Sequence, residues 1–594
     1  MRTIGLLLFL VSVGAASHSK TGERKVSFDR PALSADGYTG SKACAACHRS
    51  IYNAFSRTDM GRSMSTVTPL ILSELPNSAA FFDASQNRHF SVSVREAQLY
   101  QSEWETDADG NEVFRETQRV EWLIGAGANG IGALVRRGNQ VFEAPVTFYS
   151  KTRAWALSPG YEDADRGFSR PIDAPCIVCH SGRPNPVGGA TGQFREPPFE
   201  ELAIGCENCH GPGEAHVREM QEGTSTADSA TSSIVNPGKL SPWLADNVCM
   251  SCHQTGDARV LQPGKHFQDF RPGQPLDHTI ALLMAPPTRE SPPRSDLIQQ
   301  YFSMTLSSCY RGSGRKLSCI TCHDPHVQPS PADAPAYYRA KCMLCHTDTS
   351  CTAPVVKRQQ TNPPDNCVGC HMPKRDVTEI SHASLANHRI VATPDEPFPD
   401  VTFQLATPSL PDLVHVSVIP NERDAVPSPP TLLQAYGQLG TERREYLPRY
   451  FDVAKQLEAS QPNNTEVLEA LAARALQEKT PDGNRNAIEY LSRAIEQGAT
   501  KAWDFEELGA HLLRTHKFLE AEACLQKGIH RAPYDAKLYS LLAEGYVAMN
   551  RPREAAATLM QALQLFPQMD LLRAFLNQVE QKSLPQQGSS RPQR

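Results

Sequence analysis

Apolar and polar positions alternate with a period of two in the first third of the chain. Phe90 and Val92 alternate with polar residues, a spacing typical of a strand with one buried face. Turn signals follow at Asp109-Gly110 and Gly138-Asn139, where hairpins commonly reverse. Residues 80–165 are therefore predicted to form a small antiparallel β domain inserted into the rest of the molecule.

A helical pattern replaces the alternating one from about residue 431, and it repeats every 34 positions. The repeated positions are Ala487, Ala521 and Ala555, then Leu491, Leu525 and Leu559, then Ala494, Gly528 and Ala562, with Pro533 and Pro567 closing two units. Small residues where paired helices cross, with a proline at the end of the unit, are typical of tetratricopeptide repeats. We predict an α-solenoid over residues 431–582, whose surface docks a partner protein, and a disordered tail over residues 583–594.

The N-terminus has the pattern of a secretory signal peptide, assigned to residues 1–17. Arg2 precedes an apolar stretch, which ends in the small residues Gly14, Ala15, Ala16 and Ser17. The protein is therefore predicted to be exported to the periplasm or outer face of a bacterium. No stretch reaches the ~20 apolar residues of a transmembrane helix, so no membrane anchor is expected. The net charge of −6 argues against a nucleic-acid partner, which requires a concentrated basic face.

Seventeen cysteines and nineteen histidines carry the chemistry of the chain. Fourteen of the cysteines fall into seven Cys-x-x-Cys-His motifs. The motifs are Cys44/Cys47/His48, Cys176/Cys179/His180, Cys206/Cys209/His210, Cys249/Cys252/His253, Cys319/Cys322/His323, Cys342/Cys345/His346 and Cys367/Cys370/His371. This spacing is the attachment signal of c-type haem.

The spacing fits haem because positions three and four apart share one face of a helical turn. The two thiols would form thioethers and the imidazole would be the proximal iron ligand. Zinc is the main alternative, but zinc ribbons pair their Cys-x-x-Cys units at more regular separations. The motifs therefore predict seven covalently bound c-type haems. One lies in a first haem segment, residues 38–79. The other six lie in a cytochrome domain of short helices and loops, residues 166–392. A proline-rich linker or strap, residues 393–430, follows.

Candidates for the distal iron ligand lie outside the motifs. His216 and His326 come shortly after motifs, at Pro-Gly and Asp-Pro turns that can aim an imidazole at a neighbouring haem. The further histidine candidates are His266, His278, His382 and His388. The first motif has no adjacent histidine, so Met60 or Met64 is considered there, as a thioether ligand or as packing against the porphyrin. Cys309 and Cys351 either form a disulfide or stay free.

Several of these segments resemble the cytochrome c-554-like multihaem proteins. The matching runs are the one from Tyr38 through the first motif, Gly205 to Val217, and Cys367 to Lys374. In that family the histidine after His-Gly-Pro-Gly is a distal ligand, which carries over to His216. The resemblance implies a multihaem fold over about residues 38–392 and an exported cytochrome with C-terminal repeats.

The predicted function is electron transfer by a heptahaem c-type cytochrome that docks a redox partner protein through its repeats. A second hypothesis is an oxidoreductase in which a five-coordinate haem binds a small nitrogen or sulfur compound, with Arg311, Arg315 and Lys316 as nearby donors. A third is a structural, filament-forming cytochrome. A high-spin ferric signal that shifts with nitrite or cyanide would favour the enzyme, and concentration-dependent polymers would favour the filament.

Overall fold

The computed structural model describes residues 37–162, 164–223, 233–294, 297–377, 384–393, 395–404, 413–418 and 426–583. The predicted signal peptide, the tail beyond residue 583 and His382 lie outside these ranges.

Eighteen strands are described. They are β1 (Met64–Thr66), β2 (Ser78–Asp83), β3 (Arg88–Arg95), β4 (Gln98–Thr106), β5 (Glu112–Arg119), β6 (Trp122–Ile124), β7 (Gly130–Arg137), β8 (Gln140–Glu143), β9 (Val146–Tyr149), β10 (Ala154–Leu157), β11 (Arg170–Pro171), β12 (Arg183–Pro186), β13 (Phe194–Glu201), β14 (Ala258–Leu261), β15 (Ile280–Met284), β16 (Lys374–Asp376), β17 (Ser384–Ala386) and β18 (Val414–His415).

Most helices before residue 429 are short. They are α1 (Ser41–Ala45), α2 (Arg49–Phe55), α3 (Pro69–Glu74), α4 (Ala174–Ile177), α5 (Cys206–His210), α6 (Glu214–Glu222), α7 (Pro242–His253), α8 (Gln300–Thr305), α9 (Ser308–Gly312), α10 (Cys319–Cys322), α11 (Ala334–Cys342), α12 (Val355–Gln359) and α13 (Cys367–His371).

The helices after this point are longer. They are α14 (Pro429–Glu442), α15 (Leu447–Glu458), α16 (Thr465–Gln477), α17 (Pro481–Glu496), α18 (Ala502–Arg514), α19 (Phe518–Arg531), α20 (Ala536–Ala548), α21 (Pro552–Leu565) and α22 (Asp570–Ser583).

The antiparallel β region contains two principal sheets. A four-stranded meander has the order β2-β3-β4-β5, and a seven-stranded sheet joins β1, β6, β7, β8 and β11 with β9 and β10 branching from β7. One apolar cluster takes Phe90 and Leu99 from the meander and Val135 and Phe142 from the larger sheet, all of them buried. The two sheets therefore share one hydrophobic core.

The strands extend beyond the predicted β insertion at both ends. β1 pairs with β6 through Met64 and Ile124, so the segment of the first motif contributes a strand to the larger sheet. β12 and β13 form a further hairpin after the second motif. β1 and β12 have three and four residues, too few for an alternating pattern to be visible in the sequence. β13 has eight residues, but its buried and exposed positions do not alternate.

Part of the predicted proline-rich linker is buried. β18 adds to the β14-β15 hairpin as the third strand of a small sheet. Leu413, Val414 and Val416 are almost fully covered. Residues 413–418 are therefore an internal strap rather than a surface linker, because burying their apolar side chains outweighs leaving them in water.

The predicted C-terminal helical repeats are confirmed: α14 to α22 form a run of antiparallel helix pairs. Ala487, Ala521 and Ala555 are fully buried. A side chain on Gly528 would place its Cβ 2.7 Å from Cβ of Phe505, and one on Gly509 would meet Leu525 at 2.5 Å. The small residues of the 34-residue period are therefore required where consecutive helices approach most closely.

The helical repeats also pack against the β region. Phe142 and Tyr534 meet edge to face with ring centroids 4.6 Å apart. Arg137 donates to the carbonyl of Leu565 at 3.2 Å. On another side, Arg443 pairs with Asp257 at 2.5 Å. Contacts on two sides therefore hold the solenoid against the rest of the chain.

Within the described ranges, no helix combines the length and apolar composition needed to span a membrane.

Candidate functional site

The seven Cys-x-x-Cys-His motifs lie on or beside helices, most of them short. Backbone hydrogen bonds join the histidine N–H to the first cysteine carbonyl, as for His48 and Cys44 (2.9 Å) and for His323 and Cys319 (3.0 Å). Such a bond closes one helical turn. The two cysteines and the histidine of these motifs thus share one turn, as their spacing predicts.

Three motif histidines face a histidine from a distant part of the chain. His48 faces His216 with ring centroids 6.5 Å apart and planes 18° from parallel. His210 faces His326 at 6.0 Å and 16°. His323 faces His388 at 6.2 Å and 30°. We call these the three facing imidazole pairs. Each partner is one of the histidines that the sequence singled out.

Hydrogen bonds orient several of these rings. Nδ1 of His210 lies 2.7 Å from the carbonyl oxygen of Val235, and Nδ1 of His388 lies 3.0 Å from that of Ala386. A carbonyl only accepts, so Nδ1 carries the proton and donates it. In the neutral ring, Nε2 therefore keeps an unprotonated lone pair.

Burial keeps the oriented rings neutral. Together with the neighbouring His323 and His253, it lowers the pKa of His388 to about 4, while the hydrogen bond to Ala386 opposes the shift. Burial also lowers the pKa of His210, with His326, His48 and His216 contributing. Because a buried imidazolium is poorly solvated, these side chains are electron-pair donors at neutral pH.

The histidines form two electrostatically linked groups. His48, His216 and His326 each lower the pKa of His210. In the second group, His253 lowers the pKa of His180, and His323 lowers the pKa of His253. His253 and His323 also lower the pKa of His388. Such coupling requires the rings to be close neighbours, because Coulomb interactions weaken with distance and screening. Each group therefore brings several imidazoles into one neighbourhood.

Thiols of different motifs also meet. Cys44 hydrogen-bonds with Cys206, which raises the pKa of Cys44 and lowers that of Cys206 to about 7. Cys179 hydrogen-bonds with Cys252, and this contact, together with Arg259, lowers the pKa of Cys179 to about 6. Nη1 of Arg259 lies 3.5 Å from Sγ of Cys179. The motifs are thus in side-chain contact with one another.

Some of the predicted attachment and proximal-ligand residues lie at the surface. Four cysteines that the motifs predict to form thioethers are exposed to solvent: Cys47, Cys176, Cys345 and Cys370. Four predicted proximal iron ligands are exposed as well: His48, His253, His323 and His346. Residues that hold a small molecule or cofactor normally line a concave site that covers most of it. A motif determines one helical turn but not which other segments cover it, so the attachment and iron-ligand roles of these residues stay predictions.

The other predicted distal ligands have different surroundings. Met64 is buried in the apolar cluster with Trp122 and Leu134, so it serves as core packing, and His216 rather than a methionine faces His48. Met60 begins a 3-10 helical turn. His266 and His278 do not belong to the three facing imidazole pairs.

The three remaining cysteines are free thiols, including Cys309 and Cys351. Burial raises the pKa of Cys309, and the neighbouring Cys345 raises it further. Cys524 packs against the apolar core of the repeats, and its Sγ lies 3.7 Å from the carbonyl oxygen of Phe505.

The predicted cofactor set requires correction. In the described part of the chain, no group of three or more histidine, cysteine, aspartate or glutamate side chains is arranged to hold a metal ion. The donor side chains meet in pairs instead, as the facing imidazoles and the contacting thiols show. This finding contradicts the prediction of seven covalently bound haem irons.

Some polar features were missed by the sequence analysis. His415 in β18 is buried, its Nε2 has no hydrogen-bond partner within the described residues, and burial lowers its pKa to about 4. Arg294, Arg375 and Arg389 line one cavity with His388. No motif marks these residues, since they come from separate segments that only folding brings together.

The helix pairs define the C-terminal quarter as a solenoid of tetratricopeptide type. No family model and no curated protein matches the chain. Among solved structures, MamA matches with 18% identity over 24% of this chain and 82% of its own, at a TM-score of 0.22. A thermophilic TPR protein of Thermus thermophilus matches with 22% identity over 26% of this chain and 82% of its own, at 0.21. The Arabidopsis OM64 TPR domain matches with 21% identity over 20% of this chain and 95% of its own, at 0.18.

Proposed function

We propose that this chain is an exported electron-transfer protein. The observation that carries the proposal is the set of three facing imidazole pairs, which joins motif segments to one another and to residues downstream. Proteins that carry electrons supply binding, orientation and electrostatics to a bound redox group. Each facing imidazole pair is proposed to bind one such electron-carrying group.

The chemistry of the rings supports this role. His210 and His388 are neutral, and their Nδ1 atoms are engaged by backbone carbonyls. Their Nε2 lone pairs are thus available as donors in a fixed direction, which is how histidine ligands are commonly oriented. An exposed histidine with a rotating ring would have no such preference.

The arrangement of the pairs supports a relay rather than isolated sites. His210, which faces His326, is also a near neighbour of His48 and His216. In the second group, His253 is coupled electrostatically to His180 and to His323. Electrons could therefore pass between neighbouring groups without crossing a long stretch of polypeptide.

The test uses the full-length protein, exported and purified from the periplasm of a bacterial host. Optical absorption is recorded during an anaerobic titration with dithionite and reoxidation by ferricyanide. We expect reversible, redox-linked absorption changes. His326→Ala and His388→Ala should each alter the spectrum or midpoint potential of a part of the signal.

A matched control is His530→Ala, because His530 is an exposed histidine on α19 in the helical repeats. Its titration should superimpose on that of the original protein. A protein without any redox-linked absorption change, or facing-pair variants that titrate like the control, would overturn the proposal. Circular dichroism melts confirm that each variant is folded.

The helical repeats are proposed to dock the redox partner protein, since solenoids present extended binding surfaces. Val547 on α20 is an apolar side chain exposed to solvent. Val547→Glu is expected to slow reduction by the periplasmic fraction of the source organism while leaving dithionite reduction unchanged. Val356→Glu, at an exposed valine outside the repeats, serves as the control. Equal rates for both variants would exclude this face as the docking surface.

A further inference from the structure

A cationic cavity lies beside the His323–His388 pair. Its empty space of about 540 Å³ includes the open solvent at its mouth. Arg294, Arg375, Arg389, Gln299 and His388 are among the side chains that line it. Among its described lining residues there is no aspartate or glutamate, so the positive charge of the wall is not balanced within the cavity.

Arg389 is held rigidly in this wall. Its side chain is almost completely buried. Nη2 donates to the carbonyl oxygen of Glu396 at 2.6 Å and also to that of Pro397. The guanidinium lies 4.0 Å from the ring centroid of Phe398, another lining residue. These contacts fix the plane of the guanidinium before any ligand arrives, which lowers the entropy cost of binding.

Donors in the cavity wall are left without protein partners. Nε of Arg389 is buried and has no hydrogen-bond partner within the described residues. Gln299 is only 4% exposed, and neither its Nε2 nor its Oε1 is paired there. Leaving a buried polar group unsatisfied costs about 1–3 kcal/mol, and an ordered water or a ligand that reaches these donors would remove that cost.

The electrostatics agree with this geometry. Burial, followed by the positive charges of Arg375 and Arg311, lowers the pKa of Arg389, while Glu396 opposes the shift. The Glu396 carboxylate is itself engaged, since it accepts from the backbone N–H of Ala392 at 2.5 Å. An additional negative charge in the cavity would relieve repulsion between the arginines.

We propose that this cavity binds an oxyanion, either a small inorganic oxyanion or the carboxylate of an organic acid. Arg375 and Arg389 supply the charge, and the Gln299 amide supplies a further donor. Guanidinium groups suit this class because their planar fork matches carboxylate and other oxyanion geometry. The site goes beyond electron transfer and does not rest on it, because binding to the arginines requires no redox step.

The test is isothermal titration calorimetry of the full-length protein at constant ionic strength. Phosphate and sulfate represent the inorganic source, succinate and citrate the organic one, and chloride is the blank. We expect saturable binding of at least one oxyanion. Binding of phosphate or sulfate alone identifies the inorganic class, and binding of succinate or citrate alone identifies the carboxylate class.

Two variants and one control separate the cavity from nonspecific attraction. Arg375→Gln is expected to weaken binding at least tenfold, and Gln299→Leu to weaken it less. Arg289→Gln should bind like the original protein, because Arg289 is exposed, pairs with Asp400 at 2.7 Å and lies outside the cavity. Absence of saturable binding for all four anions, or binding that Arg375→Gln leaves unchanged, overturns the proposal.

Discussion

Nη2 of Arg88 lies 3.3 Å from Oδ2 of Asp570, and this contact joins strand β3 to the last helix of the repeats. The same guanidinium pairs with Glu105 at 2.8 Å and with Asp165 at 2.9 Å. Its side chain is only 5% exposed, whereas that of Asp570 is 62% exposed. Arg88 is therefore a buried cation between carboxylates of two regions.

We predict that Arg88→Met destabilises the protein by about 3–5 kcal/mol, because removing one partner of a buried ion pair leaves the other charges uncompensated. Chemical denaturation followed by circular dichroism measures the change. Asp570→Asn is the matched control and should cost no more than about 1 kcal/mol, as for exposed ion pairs. A loss for Arg88→Met no larger than about 1 kcal/mol, as expected for the control, would show that the network contributes little.

A second prediction concerns a close helix crossing in the repeats. Gly528→Val is expected to destabilise the protein by about 1–3 kcal/mol, the usual cost of overpacking, since a Cβ there would lie 2.7 Å from Phe505 and 3.0 Å from Leu538. Ala523→Val, at an exposed position of the same helix, controls for helix propensity. Thermal melts of the two variants compare them, and equal melting temperatures would contradict the prediction.

The third prediction is a pH dependence. Asp504 is fully buried, and burial, with Glu469 nearby, raises its pKa to about 7 while Lys501 opposes the shift. The folded state then retains a proton that the unfolded state releases above its ordinary pKa of 3.8. Stability contributed by this group is therefore present at low pH and lost as pH rises from about 4 to about 7.

Asp504→Asn removes this titration. The original protein loses the stability contributed by Asp504 between pH 5 and pH 8, and the variant does not. The unfolding free energy of the variant minus that of the original protein should therefore rise by on the order of 2 kcal/mol over this pH range. Urea denaturation at both pH values measures the difference. Asp452→Asn, at an exposed position of α15, should show the same pH dependence as the original protein. An Asp504→Asn profile parallel to that of the original protein would rule out the shift.

The fourth prediction tests a helix cap. The side chain of Thr480 accepts a hydrogen bond from the N–H of Gly483 at 3.0 Å at the start of α17. Thr480→Ala should cost about 1 kcal/mol, while Thr480→Ser keeps the accepting oxygen and should cost less than half as much. If Thr480→Ser lowers the unfolding free energy as much as Thr480→Ala does, the hydroxyl group does not stabilise the N-terminal end of α17.

The helical repeats and the β region could both be predicted from the spacing of apolar residues in the sequence, although the β region only in part. The period of 34 placed Ala521 and Leu525 in the core of the repeats, where both are fully buried. The alternation around Phe90 indicated a strand, and the turns at Gly110 and Gly138 join β4 to β5 and β7 to β8. The short strand β1 and the internal strand β18 escaped prediction, because too few residues carry the pattern.

The candidate site was predictable only in its local parts. A Cys-x-x-Cys-His motif determines that two thiols and an imidazole share a helical turn, since backbone hydrogen bonds connect residues four apart. His216, His326 and His388 were selected from the sequence, but the histidine that each one faces was not. The exposure of Cys47 and His346 could not be read from their motifs, because it depends on segments far away in the chain. The predicted set of seven haems was also wrong, since no three donor side chains of the described residues are arranged to hold a metal ion.

The sequence by itself determined the local conformations of this protein: the helical turns of the motifs, the central strands and the 34-residue repeat. Only the tertiary structure decided that His210 faces His326, that Arg88 reaches Asp570, and that Arg375 and Arg389 share a cavity. The physical reason is that local elements depend on hydrogen bonds and side-chain spacing over a few residues. Long-range neighbours depend on how whole elements bury their apolar faces against each other.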